Sequence, residues 1–182
     1  NYHPFYCIGE NDGRHNGIIP DILAQITTLY GITFSYVFTD NYEDALRTVL
    51  AGEADIAGVF FNDGTETIRN DLATTKTYAE LNDLIVRNKR TSYPAEGMTC
   101  GLIKGRKLPD YAQASQVKYY PTIYDLLNAV NIGEVDFACS ISARTEQLLQ
   151  DHIFNNVIPI SLSENRMAVS FVMPAPVDSH LL

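Results

Sequence analysis

The chain has 182 residues, 46% of them apolar, and a formal net charge of −9. That suffices for one ordinary domain or two small lobes with a sizeable core, while the acidic excess and the absence of any Lys/Arg stripe exclude nucleic acid as an expected partner. No apolar run approaches the roughly 18 residues of a membrane span and no basic-then-apolar leader opens the sequence, so no direct membrane insertion of this stretch is expected.

In chain order, Ile19, Ile22, Leu23, Ile26 and Leu29 recur at helical spacing over residues 18–30, and Gly31 follows where a left-handed cap ends a helix. Phe34, Tyr36 and Phe38 then alternate as in a strand over 33–38. Asp40 is expected to cap the next helix with Glu43 reaching back to it, Ala45, Leu46, Val49 and Leu50 forming the buried stripe and Gly52 the stop. Residues 54–61 read as a further strand. Helix and strand alternating in this way predict an α/β fold with a parallel sheet covered on both faces.

Residues 42–57, YEDALRTVLAGEADIA, align without gaps on 123–138, IYDLLNAVNIGEVDFA, with seven of sixteen positions identical: Asp44/Asp125, Leu46/Leu127, Val49/Val130, Gly52/Gly133, Glu53/Glu134, Asp55/Asp136 and Ala57/Ala138. The matches fall on the helix stripe, its stop and the turn into the strand, as two copies of one α/β unit require. The expectation is two Rossmann-like lobes joined by a two-strand hinge, lobe 1 being 1–87 plus 170–182 and lobe 2 being 88–169. The chain should cross near 86–92 and again near 166–174. Such a protein has its ligand crevice where strand ends from both lobes converge.

Cys7, Cys100 and Cys139 have neither metal spacing nor the even count of a disulfide framework and read as buried free thiols. His3, His15, His152 and His180 are widely spaced and read as surface residues. Glu10, Asp12, Asp63 and Glu66 read as solvated rim acids. No metal, cofactor or catalytic motif is expected, and the chain reads as a binder rather than an enzyme. It opens at Asn1 rather than Met and closes on His180-Leu181-Leu182, as a stretch taken from something longer would.

The order of His3-Pro4-Phe5-Tyr6, a polar turn with Gly13, Gly17 leading to Asp21, the 42–57 helix and strand, Arg69, LATTKTY ending at Tyr78, the strand around 84–86, and Gly101 to Gly105 resembles the type II periplasmic binding fold. Within it, the likeness is to the polar amino-acid-binding family 3 of extracellular solute-binding proteins. The family's first strand, which normally precedes the Pro-Phe piece, and its usual final helices have no counterpart between residues 1 and 182. The segment 105–111, GRKLPDY, is closer to the branch fused to membrane histidine kinases and diguanylate cyclases. The resemblance implies an extracytoplasmic domain, tethered by membrane segments outside these residues, with a small polar or anionic solute and a membrane-bound signalling or transport partner.

By that resemblance Arg69 grips a ligand carboxylate, as a planar guanidinium does with two parallel hydrogen bonds. Asn62 lies in the loop before it. Gly105 and Arg106 stand where the family meets the same carboxylate at a helix start. Phe5, Tyr6 and Phe61 are expected at the rim as aromatic walls, with Phe60 in the core because strand residues alternate. Tyr78 is a candidate hinge aromatic. The family's acidic ammonium anchor is replaced by Cys139-Ser140-Ile141-Ser142, leaving Ser140 and Ser142 as polar contacts. With Arg69 and Arg106 facing the site and no acid opposite, a net positive site is expected, favouring an organic acid over an α-amino acid. The alternatives are a diffusible receptor for an amino-acid transporter and, with no motif behind it, a dehydratase-type enzyme on the same fold.

Overall fold

The computed structural model describes residues 4–9, 12–62 and 71–175, the side chains of 62 and 161–165 excepted. Contacts divide the chain into one compact unit up to Phe38 and a second from Thr39 onward.

In the first unit β1 (Cys7–Ile8) pairs antiparallel with β2 (His15–Asn16), and α1 spans Ile18–Tyr30. Gly31 ends the helix at φ 70°, its N–H donating to Thr27 O at 2.9 Å. The buried stripe is narrower than its periodicity predicts: Ile19 and Leu23 are covered, whereas Leu29 is 73% exposed. Gly17 is required where the chain enters the helix, because a Cβ there would lie 2.6 Å from Phe5 O. Residues 33–38 form no ladder among the described residues, against the predicted strand. The alternation survives in burial only as far as Tyr36: Phe34 and Tyr36 are half-covered and Ser35 and Val37 exposed, but Phe38 is exposed too.

The second unit runs α2 (Tyr42–Leu50), β3 (Ala57–Asn62), β4 (Leu72–Thr74), β5 (Ala79–Asn88), β6 (Thr99–Ile103), β7 (Gln116–Tyr120), α3 (Ile123–Ile132), β8 (Phe137–Ile141), α4 (Ser142–Asp151) and β9 (Val157–Pro174). Its sheet has the order β3-β9-β5-β8-β6-β7, with β4 also on β9. Only the β6–β7 and β6–β8 ladders are parallel; those of β9 with β3, β4 and β5, and of β5 with β8, are antiparallel. The expected wholly parallel sheet is therefore mixed, because two long strands cross its centre in opposite senses.

The repeated segments adopt the same local structure. Asn41 caps α2 and Thr122 caps α3, each side chain accepting from the N–H three residues on, Asp44 at 3.0 Å and Asp125 at 3.1 Å. The cap is thus one residue later than Asp40. It is favoured because Asn41 Nδ2 also reaches the Asp44 carboxylate at 2.6 Å. Gly52 (φ 74°) and Gly133 (φ 79°) stop the two helices. Glu53 N–H donates to Thr48 O and Glu134 N–H to Ala129 O, a bond that recurs at the 81-residue offset. Val49 and Val130 are buried at the same helical position, and Ala57 and Ala138 pair with Val172 and Val86 on the two crossing strands.

The larger core lies under β6 and β8, where Ile85, Cys100, Leu102, Phe137 and Cys139 pack together. A smaller cluster of Val49, Ala57, Leu72 and Val172 sits under α2, and Phe60 packs partly against it. Asn88, 4% exposed, fastens β5 to the end of α3: its Nδ2 donates to Val130 O at 2.7 Å and its Oδ1 accepts from Arg90 N at 2.9 Å. Asn88→Ala strips a buried helix end of its donor and is expected to lower unfolding free energy by about 2 kcal/mol in urea titrations.

Candidate functional site

β6 ends at Ile103, and the chain turns back with Arg106 N–H donating to Ile103 O at 3.2 Å. Gly105 holds φ 89°, and a Cβ on it would press the Tyr42 ring at 3.1 Å, so both the turn and the close approach of α2 need glycine. The turn sends Arg106 inward to 3% exposure while Lys104 and Lys107 remain outside. No helix starts at 105 among the described residues, which removes the helix-dipole argument for an anion at this position.

Arg106 meets groups from three strands. Its Nη2 lies 3.6 Å from Asp83 Oδ2 on β5 and 3.2 Å from Met167 Sδ on β9, and its Cζ is 5.5 Å from the Phe61 ring centroid at the end of β3. Asp83 is 5% exposed and also accepts a short hydrogen bond from Tyr111 Oη. Burial, then the neighbouring Cys139 and Asp83, push the Tyr111 phenol far above its ordinary range, so it stays a donor. Phe61 is 3% exposed and packs at a tilt, 5.0 Å between centroids, on Tyr42, whose hydroxyl accepts from Phe61 N–H at 3.3 Å.

Of the two cations in the expected positive site, Arg106 has an acid beside it in Asp83. Sequence reasoning missed Asp83; the signal was a lone acid interrupting the apolar strand LNDLIV. Phe60 packs partly against the smaller core cluster, while Phe61, expected at the rim, is buried beneath the Arg106 guanidinium. Tyr78 donates to Gly58 O at 2.6 Å and packs on Phe171 at 4.8 Å, tying β3 to β9. Ser140 is 2% exposed and accepts from Thr145 Oγ1 at 2.8 Å, which makes it an internal strut rather than a solute contact. Ser142 opens α4 half-exposed. Asn62 is paired through its backbone to Ala168. Arg69 lies outside the described residues.

In the first unit Phe5 is 1% exposed and packs inside, so it presents no aromatic wall to solvent. Tyr6 is half-buried, its Oη 2.6 Å from His15 Nδ1, and His15 stacks on Tyr36 at 4.2 Å with Phe38 beyond. His15 is exposed, as expected, and belongs to an aromatic group. Cys100 and Cys139 are buried with their sulfurs 4.0 Å apart, and the hydrogen bond from Cys100, followed by burial, pushes the Cys139 thiol far up. Among the described residues no three His, Cys, Asp or Glu side chains gather as a metal site would need, and no helix is long and apolar enough to cross a membrane.

The buried centre depends on Asp83 keeping its donors. Tyr111→Phe removes one of them from a buried carboxylate and is expected to cost about 2 kcal/mol in denaturant unfolding, with the fold retained by circular dichroism.

No protein-family profile matches the sequence, and no curated protein matches it either. Solved structures do. The B. pertussis BvgS periplasmic domain superposes with a TM-score of 0.77 at 18% identity, covering 99% of this chain and 36% of that one, so this chain spans about a third of its length. A histidine kinase sensor domain with similarity to periplasmic binding proteins gives 0.77 at 16% identity, covering 99% and 81%. The arginine-bound form of truncated ArgBP from T. maritima gives 0.69 at 16%, covering 94% and 83%. The chain therefore has the mixed α/β fold of the type II periplasmic binding proteins.

Proposed function

We propose that the chain is an extracytoplasmic binding domain whose two lobes close over a small polar or anionic organic solute, as the sensor input of a membrane-tethered histidine kinase or diguanylate cyclase. The lobes are 1–87 with 170–182, and 88–169, and the hinge runs through β5 and β9. The observation that carries this reading is the strand order β3-β9-β5-β8, in which each repeated helix-turn-strand unit attaches to its own long crossing strand. Paired crossing strands let two units rock on them, and a solute that favours the closed arrangement shifts the population. The site then takes Arg69 as carboxylate grip, with Phe61, Asn62, Gly105 and Ser142 as its companions in the second unit. Its action is binding rather than catalysis, a reading supported by Asp83, the one buried acid among the described residues, being engaged with Arg106 and Tyr111.

A second reading, a diffusible receptor delivering amino acids to a transporter, draws support from the likeness to an arginine-binding protein. Mass spectrometry of the purified protein for a retained solute, followed by calorimetric titration, separates the two. A small carboxylic acid is expected to bind and common α-amino acids to fail; tight binding of an ordinary α-amino acid favours the receptor, and binding of neither class overturns both. Arg69→Ala is expected to abolish the ligand-induced rise in melting temperature, a loss on the order of 1.5–3 kcal/mol.

A further inference from the structure

Arg106 is the oddity of the second unit. Its neighbours Lys104 and Lys107 are exposed, yet its own side chain is 1% exposed. Removing a guanidinium from water is costly unless its surroundings are suited to it. Here they are: an aromatic face in Phe61, a polarisable sulfur in Met167 and the edge of a carboxylate in Asp83. That set suits a flat, weakly hydrated cation, whereas an ammonium needs three well-placed acceptors.

The contact between Arg106 and Asp83 is loose. At 3.6 Å the guanidinium–carboxylate separation exceeds the roughly 2.7–2.9 Å of a charge-assisted hydrogen bond, and Asp83 Oδ1 is buried without a hydrogen bond among the described residues. A guanidinium free of the 103–106 turn can rotate to engage both oxygens of Asp83 in parallel.

We propose that Asp83, Phe61 and Met167 form a seat for one planar guanidinium cation, and that Arg106 fills this seat from within the chain and thereby bars cationic solutes from the binding site. The proposal rests on the binding reading above and narrows it, since Arg106 becomes the residue that sets specificity against arginine-like ligands. The Tyr111 hydroxyl holds the Asp83 carboxylate in place while the seat is occupied.

The experiment vacates the seat and offers the cation separately. Wild-type protein, Arg106→Ala and the double variant Arg106→Ala/Asp83→Asn are melted with low-millimolar methylguanidinium, methylammonium or sodium chloride at matched ionic strength. Wild type is expected to show no shift with any salt. Arg106→Ala should melt lower and recover most of the loss with methylguanidinium alone, and the double variant should not recover. Arg106→Gln, which keeps most of the packing volume, serves if the alanine variant does not fold, and should show the same recovery. Absence of recovery in the variant that folds, equal recovery with methylammonium, or an equal shift in wild type would each overturn the proposal. Solute titration of wild type reports separately on the binding function, so either idea can fail while the other stands.

Discussion

The second unit depends on the pairing of β5 with β9 and on the break in that pairing. Asn82 faces Arg166, but Leu84 faces Ser161, so the single residue Asp83 spans a stretch that takes 162–165 on the opposite strand. A bulge of this kind bends the strand and redirects the side chain beside it. Before the break β5 alternates between half-covered and exposed residues; after it, Leu84, Ile85 and Val86 are all buried. The break therefore marks where a sheet with one covered face becomes one covered on both. β3 and β4 attach to the later part of β9, and β8 to the later part of β5.

The buried ion pair sits at this transition. A carboxylate and a guanidinium withdrawn from water seldom add net stability compared with well-packed apolar groups, but removing one partner strands the other in a medium that cannot solvate it. Asp83 and Arg106 are better understood as fixing arrangement: they hold the turn after β6 against the end of β3 and both crossing strands. Arginine is needed because only its flat guanidinium can lie over Phe61 while presenting an edge to Asp83. Gly105 belongs to the same device, since any side chain there would push α2 away through Tyr42.

The two copies of the helix-turn-strand unit show which interactions tolerate divergence. Asn41 and Thr122 are chemically different caps, yet both supply an oxygen to the N–H of an aspartate three residues on. The left-handed stops at Gly52 and Gly133 are identical because a Cβ is disfavoured at that φ. Between these fixed ends the stripes differ in depth, α3 burying five residues where α2 buries two. The larger core under β6 and β8 accounts for this, as α3 lies over it.

What the sequence determined by itself was local and periodic: α1 and its Gly31 stop, the duplicated helix-turn-strand unit, and the apolar strand around 84–86. Each follows from spacing along the chain, where hydrophobic period and glycine conformation act within a few residues. Tertiary structure decided whatever required distant segments to meet. The alternation of 33–38 forms no ladder among the described residues, because a strand exists only with a partner, and sequence periodicity does not supply one. The mixed sheet follows from the opposed crossing of β5 and β9, which no single element encodes. Asp83 looked like an interruption in an apolar strand; only the fold brings Arg106, 23 positions later, together with Tyr111 and Met167 to neutralise and fix it. Ser140 looked like a solute contact, and only its burial beside Thr145 made it a strut.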